Sequence, residues 1–311
     1  MKRNSPQKVD GVVLLDKPEG ISSQTAVTIV KRSCAAQKAG HTGTLDPLAT
    51  GLLPVCLGEA TKYSADLLNA DKTYLATILF GAKTTTGDSE GEVISRGEVA
   101  FDAADAELVR ANLEMLLPKF SGVIHQVPPM YSALKRDGRP LYEYAREGKE
   151  VELEAREVEI HHIAWVSIAW PVATLEVTCS KGTYIRSLAS DMGDYLGCGA
   201  HLTALRRTKV GHLQLKDACT LPVVKEGKAH LMSVDALVST LPSIVLNEEL
   251  SDRLCLGQRI PQSDAAVQPG VVRVYRKVET PQSFLGTVEV KNGVLHPRRL
   301  IAQTESTNSV I

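Results

Sequence analysis

A mixed α+β architecture in two unequal parts is what this 311-residue sequence predicts, and three observations carry it. Stretches with a strand period and stretches with a helix period alternate from residue 11 to about residue 241. Beyond Pro242 the texture changes to short, turn-separated β segments. Hydrophobic residues make up 43% of the chain and charged residues 23%, enough to build a packed core and too apolar for a disordered or fibrous chain.

In order, GVVLLDKPEG reads as a short buried strand over Val12 to Leu15, ending in a turn at Pro18-Glu19-Gly20. Ser22 or Ser23 is a suitable N-cap for a helix running through Thr25 to Lys31. The stretch KAGHTGTLDPLATGLLPVCLG, with four glycines and two prolines, reads as loop. TYLATILF (73–80) alternates and is rich in β-formers, a strand. Residues 105–117 place Leu108, Leu113, Leu116 and Leu117 on one helical face. VPPMYSALKRDGRP is irregular, and LYEYAREGKE begins a helix that ends at Gly148. ATLEVTCSKGTYIRSLASDMGDYLG reads as strand, glycine turn and helix, and LTALRRTKVGHLQL as a helix end followed by a strand. In the last part, Asn292-Gly293 between GTVEVK and VLHPRRLI is a hairpin signal. The expected division is 1–242 for the larger domain, 243–305 for a small β-rich one, and 306–311 for a frayed tail.

Charge and cysteine usage exclude several classes. Lys+Arg number 35 against 36 Asp+Glu, a net charge of −1, so any nucleic acid must be held by a local basic face. The six cysteines contain no C-x-x-C pair, and Cys198 with His201 finds no second pair, so neither a zinc site nor a redox dithiol is expected. Free buried thiols in a reducing compartment fit better. The first apolar run is stopped by Asp16 after a few residues, unlike a signal peptide, and no stretch approaches the ~18 apolar residues of a membrane span. A soluble, cytoplasmic protein is the expectation.

The glycine-rich stretch has neither GxxxxGK[ST] nor GxGxxG, so it is no nucleotide loop. It does hold one carboxylate, Asp46, set extended by Pro47 and flanked by small residues that leave room for a flat ligand. On local grounds alone a turn former is the favoured explanation of Asp46. His41 stands five residues earlier, but no nucleophile elbow and no third metal ligand accompany the pair.

The longer strings decide between these readings. AGHTGTLDPLATGLLPVCLGEATK and GVVLLDKPEGISS, followed in order by KTYLA, PPMYSALK, CSKGTYIRSLASDMG and CGAHLTALRRTKVG, resemble the TruB family of pseudouridine synthases across residues 10–215. The C-terminal segment resembles a PUA RNA-binding domain. The resemblance implies a large mixed, mostly antiparallel sheet with flanking helices, cleft across its middle, and a small β-rich PUA-like domain. It implies isomerisation of the uridine at position 55 of the tRNA T loop, with no cofactor and no metal. By the same resemblance Asp46 is the catalytic carboxylate and Arg186 its paired cation. Tyr74 stacks on the base and takes part in proton transfer, and Tyr184 and Leu205 also touch the substrate. His41 helps flip the uridine out, and the segment 122–147 closes on the RNA.

The chemistry explains the sparse motif content. Breaking the N1–C1′ bond, turning the base and rejoining it through C5 transfers no electrons and consumes no water. It needs a carboxylate, a countercharge against desolvation, and a flat pocket. Clusters at Lys31-Arg32, Lys135-Arg136 with Arg139, Arg206-Arg207 with Lys209, and Arg298-Arg299 are expected to form a phosphate-contacting strip. The implied partner is the T arm of tRNA, with no membrane, no obligatory protein partner and a monomeric enzyme. Two alternatives are a tRNA-folding chaperone in which catalysis is secondary, and an RNA-guided relative. The four intact residues Asp46, Tyr74, Tyr184 and Arg186 argue against lost catalysis but not against a coexisting folding role, and the lack of basic extensions argues against the second alternative.

Overall fold

The computed structural model describes residues 6–132, 134–149, 151–261, 268–277 and 283–302. The expected tail 306–311 lies outside them. β1 (Gly11–Lys17) is an apolar run buried along nearly its whole length, as a strand covered on both faces must be. Ser22 caps α1 (Ser23–Ser33), its hydroxyl accepting from the Thr25 amide at 3.1 Å. The helix lays Ala26, Val27 and Val30 on the sheet.

The glycine-rich stretch is not all loop. It holds β2 (Ala39–His41) and β3 (Thr50–Leu57), and only residues 42–49 leave the sheet. Counting Gly and Pro hid the apolar run LLPVCL. Pro54 is tolerated because it faces Leu14 in an antiparallel pair, where its nitrogen must point away from that partner. On that other side β3 has ladder partners only at residues 50–51 and 55–57.

A 3-10 turn over Gly58–Tyr63 leads into α2 (Ser64–Leu68) and then β4 (Lys72–Phe80). β5 (Ala82–Thr84) and β6 (Val93–Arg96) form a small hairpin. α3 (Ala106–Leu116) is capped by Asp105 and buries Val109, Leu113 and Leu116, spaced i, i+4, i+7. Leu108, expected on that face, is exposed. β7 (Gly122–Gln126) follows. A two-residue pair, β8 (Lys135–Arg136) and β9 (Arg139–Pro140), precedes α4 (Leu141–Arg146). β10 (Arg156–Ala169), β11 (Val172–Cys179) and α5 (Ile185–Tyr195) come next.

β12 (Ala200–Val210) corrects the expected helix end: LTALRR is extended, kinked by irregularities at Leu202/Ala204 and Arg207/Lys209, and flanked by a strand on each side. β13 (Leu213–Gln214), β14 (Cys219–Thr220) and α6 (Leu221–Lys225) finish this part. The sheet runs β14-β1-β3-β12-β4-β11-β10-β7, with β2 on β3 and β13 on β12. Only β1–β14 and β3–β12 are parallel, so the mixed, mostly antiparallel expectation holds. Residues 122–126, expected in the RNA-closing segment, form the outer strand β7 paired with β10.

The second sheet is made by β15 (Ser243–Leu246), β16 (Ile260–Pro261), β17 (Gly270–Arg276), β18 (Ser283–Lys291) and β19 (Val294–Leu300), with α7 (Glu248–Cys255) beside it. Asn292 and Gly293, both at positive φ, make the β18–β19 turn as expected. This sheet has its own core, including Leu254, Val274, Leu285 and Leu295. It is fastened to the first part by polar contacts. Tyr63 Oη donates to the Arg299 carbonyl at 2.6 Å and Tyr275 Oη to Asp235 Oδ2 at 2.6 Å. Arg299 also pairs with Asp66.

Of the six cysteines, Cys56, Cys179 and Cys198 are buried, Cys34 and Cys219 half-buried and Cys255 exposed, a partial departure from the expectation of buried thiols. No helix among the described residues is long and apolar enough to cross a membrane.

Candidate active site

The loop between β2 and β3 carries Asp46, and its backbone is held carbonyl by carbonyl. Arg207 donates from Nη2 to the Gly43 carbonyl at 3.0 Å and from Nη1 to that of Thr44 at 3.3 Å. Ser23 Oγ donates to the Leu45 carbonyl at 2.9 Å and accepts from the Leu45 amide at 2.7 Å. The Asp46 carbonyl accepts from the Ala49 amide at 3.0 Å. The Pro47 carbonyl accepts from the Gly20 amide at 2.9 Å and from Lys17 Nζ at 3.4 Å. Five consecutive peptide units thus have a partner, which fixes where the Asp46 side chain leaves the backbone.

The cations that hold this loop are buried. Lys17 is 0% exposed and Arg207 1%. Lys17 Nζ also donates to the Pro18 and Ile21 carbonyls, and burial pulls its pKa down to about 8 against the opposing pull of Asp46. Arg207 Nε reaches the Leu52 carbonyl at 2.8 Å, in the stretch of β3 that lacks a ladder partner on the side away from β1. Arg207 can pass so near β3 because residue 51 is glycine. Its φ is +100°, and a Cβ there would lie 2.3 Å from the Arg207 carbonyl oxygen.

Opposite the loop, the first turn of α5 supplies Arg186. Its side chain is 7% exposed, and Nη2 lies 3.0 Å from Asp46 Oδ2. The same nitrogen donates to the Tyr131 carbonyl at 2.7 Å, and Nη1 donates to the Thr86 carbonyl at 2.9 Å. Behind it stands Asp88, 1% exposed, with Oδ2 3.6 Å from Nη1 and Oδ1 taking the Thr86 hydroxyl and the Glu90 amide. One guanidinium thus faces two carboxylates. Asp46 is the accessible one, with 38% of its side chain exposed. Burial of the Asp46 carboxyl pushes its pKa above the usual range, Arg186 pulls it back, and the Asp88 charge adds to the rise.

Asp46, Tyr74, Tyr184, Arg186, Leu205 and Arg207 line one cleft of about 470 Å³. Tyr74 comes from β4 and Leu205 from β12, and both pack against the two cores that meet at this point of the sheet. Burial pushes the Tyr74 hydroxyl above its ordinary pKa, and the neighbouring Arg207 guanidinium opposes that rise. Tyr184 is the N-cap residue of α5, and burial raises its hydroxyl as well. His41, at the end of β2, lines a second cavity of about 560 Å³ that shares Asp46 and Arg186 with the first. Burial first, and then Arg207, lower the His41 pKa, and its Nδ1 accepts from the Gly43 amide at 3.2 Å.

The structure therefore brings Asp46, Tyr74, Tyr184, Arg186 and Leu205 to one cleft and sets His41 on the far side of Asp46. Sequence reasoning missed Asp88, which in TTTGDSEG looks like any turn aspartate. It misplaced Arg207, expected on a phosphate strip. Arg206, though 41% exposed, is paired with Asp16 at 3.1 and 2.7 Å. Arg139 pairs with Glu143 and Glu147, and Arg299 with Asp66. Arg136 donates to the Glu152 carbonyl at 2.7 Å, so five arginines of the expected strip are engaged within the protein.

Three family models match in succession. They are "TruB family pseudouridylate synthase (N terminal domain)" over residues 31–185, "tRNA pseudouridylate synthase B C-terminal domain" over 186–244, and "Pseudouridine synthase II TruB, C-terminal" over 242–301. The tRNA pseudouridine synthase B of Burkholderia mallei (strain ATCC 23344) is 53% identical over 309 residues, 96% of each chain. That of Cupriavidus pinatubonensis is 52% identical over 308 residues, 95% of each chain. Among solved structures, an H/ACA RNP bound to a substrate RNA containing 2′-deoxyuridine superposes with a TM-score of 0.67 at 22% identity, covering 94% of this chain and 85% of that one. An archaeal box H/ACA sRNP Nop10-Cbf5 complex gives 0.65 at 23% identity, covering 93% and 85%. At such identities the two structures speak for the fold alone. The relatives match along nearly the whole chain, motif-bearing loop and cleft strands included, and by that match the chain belongs to the TruB family of pseudouridine synthases.

Proposed function

We propose that this protein converts the uridine at position 55 of the tRNA T loop to pseudouridine, with Asp46 as the reacting carboxylate. One observation carries the catalytic reading: an accessible carboxylate stands in a cleft that two tyrosines also line, 3.0 Å from a buried guanidinium. The choice of tRNA follows relatives about half identical in sequence and named tRNA pseudouridine synthase B.

The reaction is an isomerisation. The N1–C1′ bond breaks, the base turns, C5 bonds to C1′, and the C5 proton is lost while N1 gains one. Asp46 serves the first step as nucleophile, or as base and countercharge to the sugar carbon. Arg186 keeps it ionised after the base has displaced water from the cleft. Tyr74 stacks on the uracil; as the phenolate, which the neighbouring Arg207 guanidinium favours, it takes the C5 proton and becomes the neutral phenol. Tyr184, at the start of α5, and Leu205, on β12, contact the base. His41 helps lever the nucleotide out of the loop, at a cost of a few kcal/mol.

In this reading the segment after β7 closes on the RNA, and the second sheet, from residue 243 on, is a PUA-like RNA-binding domain. In the same reading the enzyme is a monomer without an obligatory protein partner. The joint presence of Asp46, Tyr74, Tyr184 and Arg186 favours catalysis over RNA folding as the main role.

Asp46→Asn tests the proposal. Asn keeps the size and the turn geometry but removes the charge and the nucleophile. With a T-arm stem-loop transcript, tritium release or mass mapping should show pseudouridine formation by the parent protein and none by the variant. Binding and folding should survive. Appreciable turnover by Asp46→Asn would overturn the assignment.

A further inference from the structure

Tyr184 is held by a side chain from another part of the sheet. α5 has no side-chain cap of its own at Tyr184. In its place Gln126, the last residue of β7 and 2% exposed, meets the Tyr184 backbone from both sides. Its Oε1 accepts from the Tyr184 amide at 2.7 Å, and its Nε2 donates to the Tyr184 carbonyl at 3.0 Å. One carboxamide thus bonds the peptide groups before and after a single Cα, as a neighbouring strand would, and sets the direction of its Cα–Cβ bond. Burying an amide is costly unless both its ends are paired, and here both are.

The anchor is rigid at its other end. The Gln126 backbone pairs with Arg156 of β10 in the sheet. The next residue is tied to the same helix turn, the Val127 carbonyl accepting from Ser187 Oγ at 3.0 Å. Two residues beyond Tyr184 lies Arg186, which meets Asp46.

We infer that Gln126 is a positioning residue for the isomerisation: through the backbone on both sides of Tyr184 it sets that ring against Asp46. The inference rests on the reading of the cleft given above. Gln126 touches no reacting atom, so its removal should leave RNA affinity in place and slow the chemical step. Misplacement by about 1 Å is enough to cost ~100-fold in rate.

The test measures single-turnover pseudouridine formation on the stem-loop transcript, its dissociation constant, and the urea midpoint of each protein. Gln126→Ala should slow the single-turnover rate by about 10–100-fold while the dissociation constant stays near that of the parent. Gln126→Glu keeps the acceptor for the Tyr184 amide and loses the donor to its carbonyl, so its rate should fall between the two. With Tyr184→Ala, where no ring is left to place, adding Gln126→Ala should change the rate by less than about threefold. A parent-like rate in Gln126→Ala would overturn the inference. So would an equal loss in both backgrounds, or a loss no larger than the unfolded fraction read from the urea curves. Absence of pseudouridine formation by the parent protein would instead strike the proposed function.

Discussion

The two walls of the cleft are held by different physics. The wall that carries Asp46, residues 43–47, is pinned through its carbonyls by Lys17, Ser23 and Arg207, none more than 2% exposed. The facing segment that follows β7 is held at its near end by α5 and farther out by surface charge. There Arg139 bonds Glu143 at 3.0 Å and also pairs with Glu147, with side chains about 40% exposed. Its guanidinium also lies 4.8 Å from the centre of the Tyr144 ring. Within α4 only Leu141 is buried. Buried cations on carbonyls are unscreened and costly to disturb, whereas exposed ion pairs are weak and salt-sensitive. Asp46 thus sits on the wall that cannot adapt, and in the proposed function the adaptable wall is the one that meets RNA of variable shape. Preorganisation is concentrated where charge develops.

The sharpest way to break this contrast is Arg207→Met. It leaves the Gly43, Thr44 and Leu52 carbonyls without their charged donor at nearly constant volume. The expected loss is about 3 kcal/mol or more in urea unfolding, since bonds to charged donors are worth ~1.5–3 kcal/mol each. Stability equal to the parent's would show that the loop is held by something else.

A smaller effect is expected from Lys17→Met, about 1–3 kcal/mol at neutral pH. Its pH dependence has a definite sign. The folded-state pKa of Lys17 is about 8 against 10.5 for the free side chain. Between those values the unfolded chain holds the extra proton, so the Lys17 contribution to stability rises with pH across that window and is flat below it. The gap between parent and Lys17→Met should therefore widen from pH 8 to 10.5. Lys72, shifted in the same direction by burial, is present in both proteins and cancels. A gap that stays constant or narrows would contradict a buried, partner-bound ammonium.

The smallest effect belongs to the other wall. Arg139→Ala should leave the unfolding midpoint near that of the parent, because its ion pairs are exposed. Native-state hydrogen exchange should still quicken over residues 135–147 while residues 43–49 keep their protection. Equal quickening on both sides would erase the distinction between the walls.

What the sequence made legible followed the same division. Asp46, Tyr74, Tyr184, Arg186 and Leu205 sit in long motifs, so family resemblance found them, and the structure gathers them in one cleft. The ordinary periodic elements were legible too: β1, α1, β4, β11, α5 and the Asn292-Gly293 hairpin. Arg207 was not, because a sequence displays charge but not burial, and RRTK reads as a phosphate-binding run. β12 was missed because a central strand with two irregularities keeps neither period. β3 was hidden by its proline and glycines, each of which has a local reason to be there. Asp88 and Gln126 act through partners distant in the chain, and no local pattern marks such pairs.

The position of β12 also orders events in time. It lies between β3 and β4, the only described link in the sheet between the strands before residue 58 and those from 72 to 179. A nascent chain can pair β1 with β3, and β4 with β11, long before residues 200–210 leave the ribosome. Until then it carries two half-sheets, each with an open edge of the kind that invites wrong partners. The strand that closes the gap also carries Leu205 and Arg207. The cleft is therefore completed by the same late step that fuses the halves, and no nascent chain that ends before β12 holds a finished site.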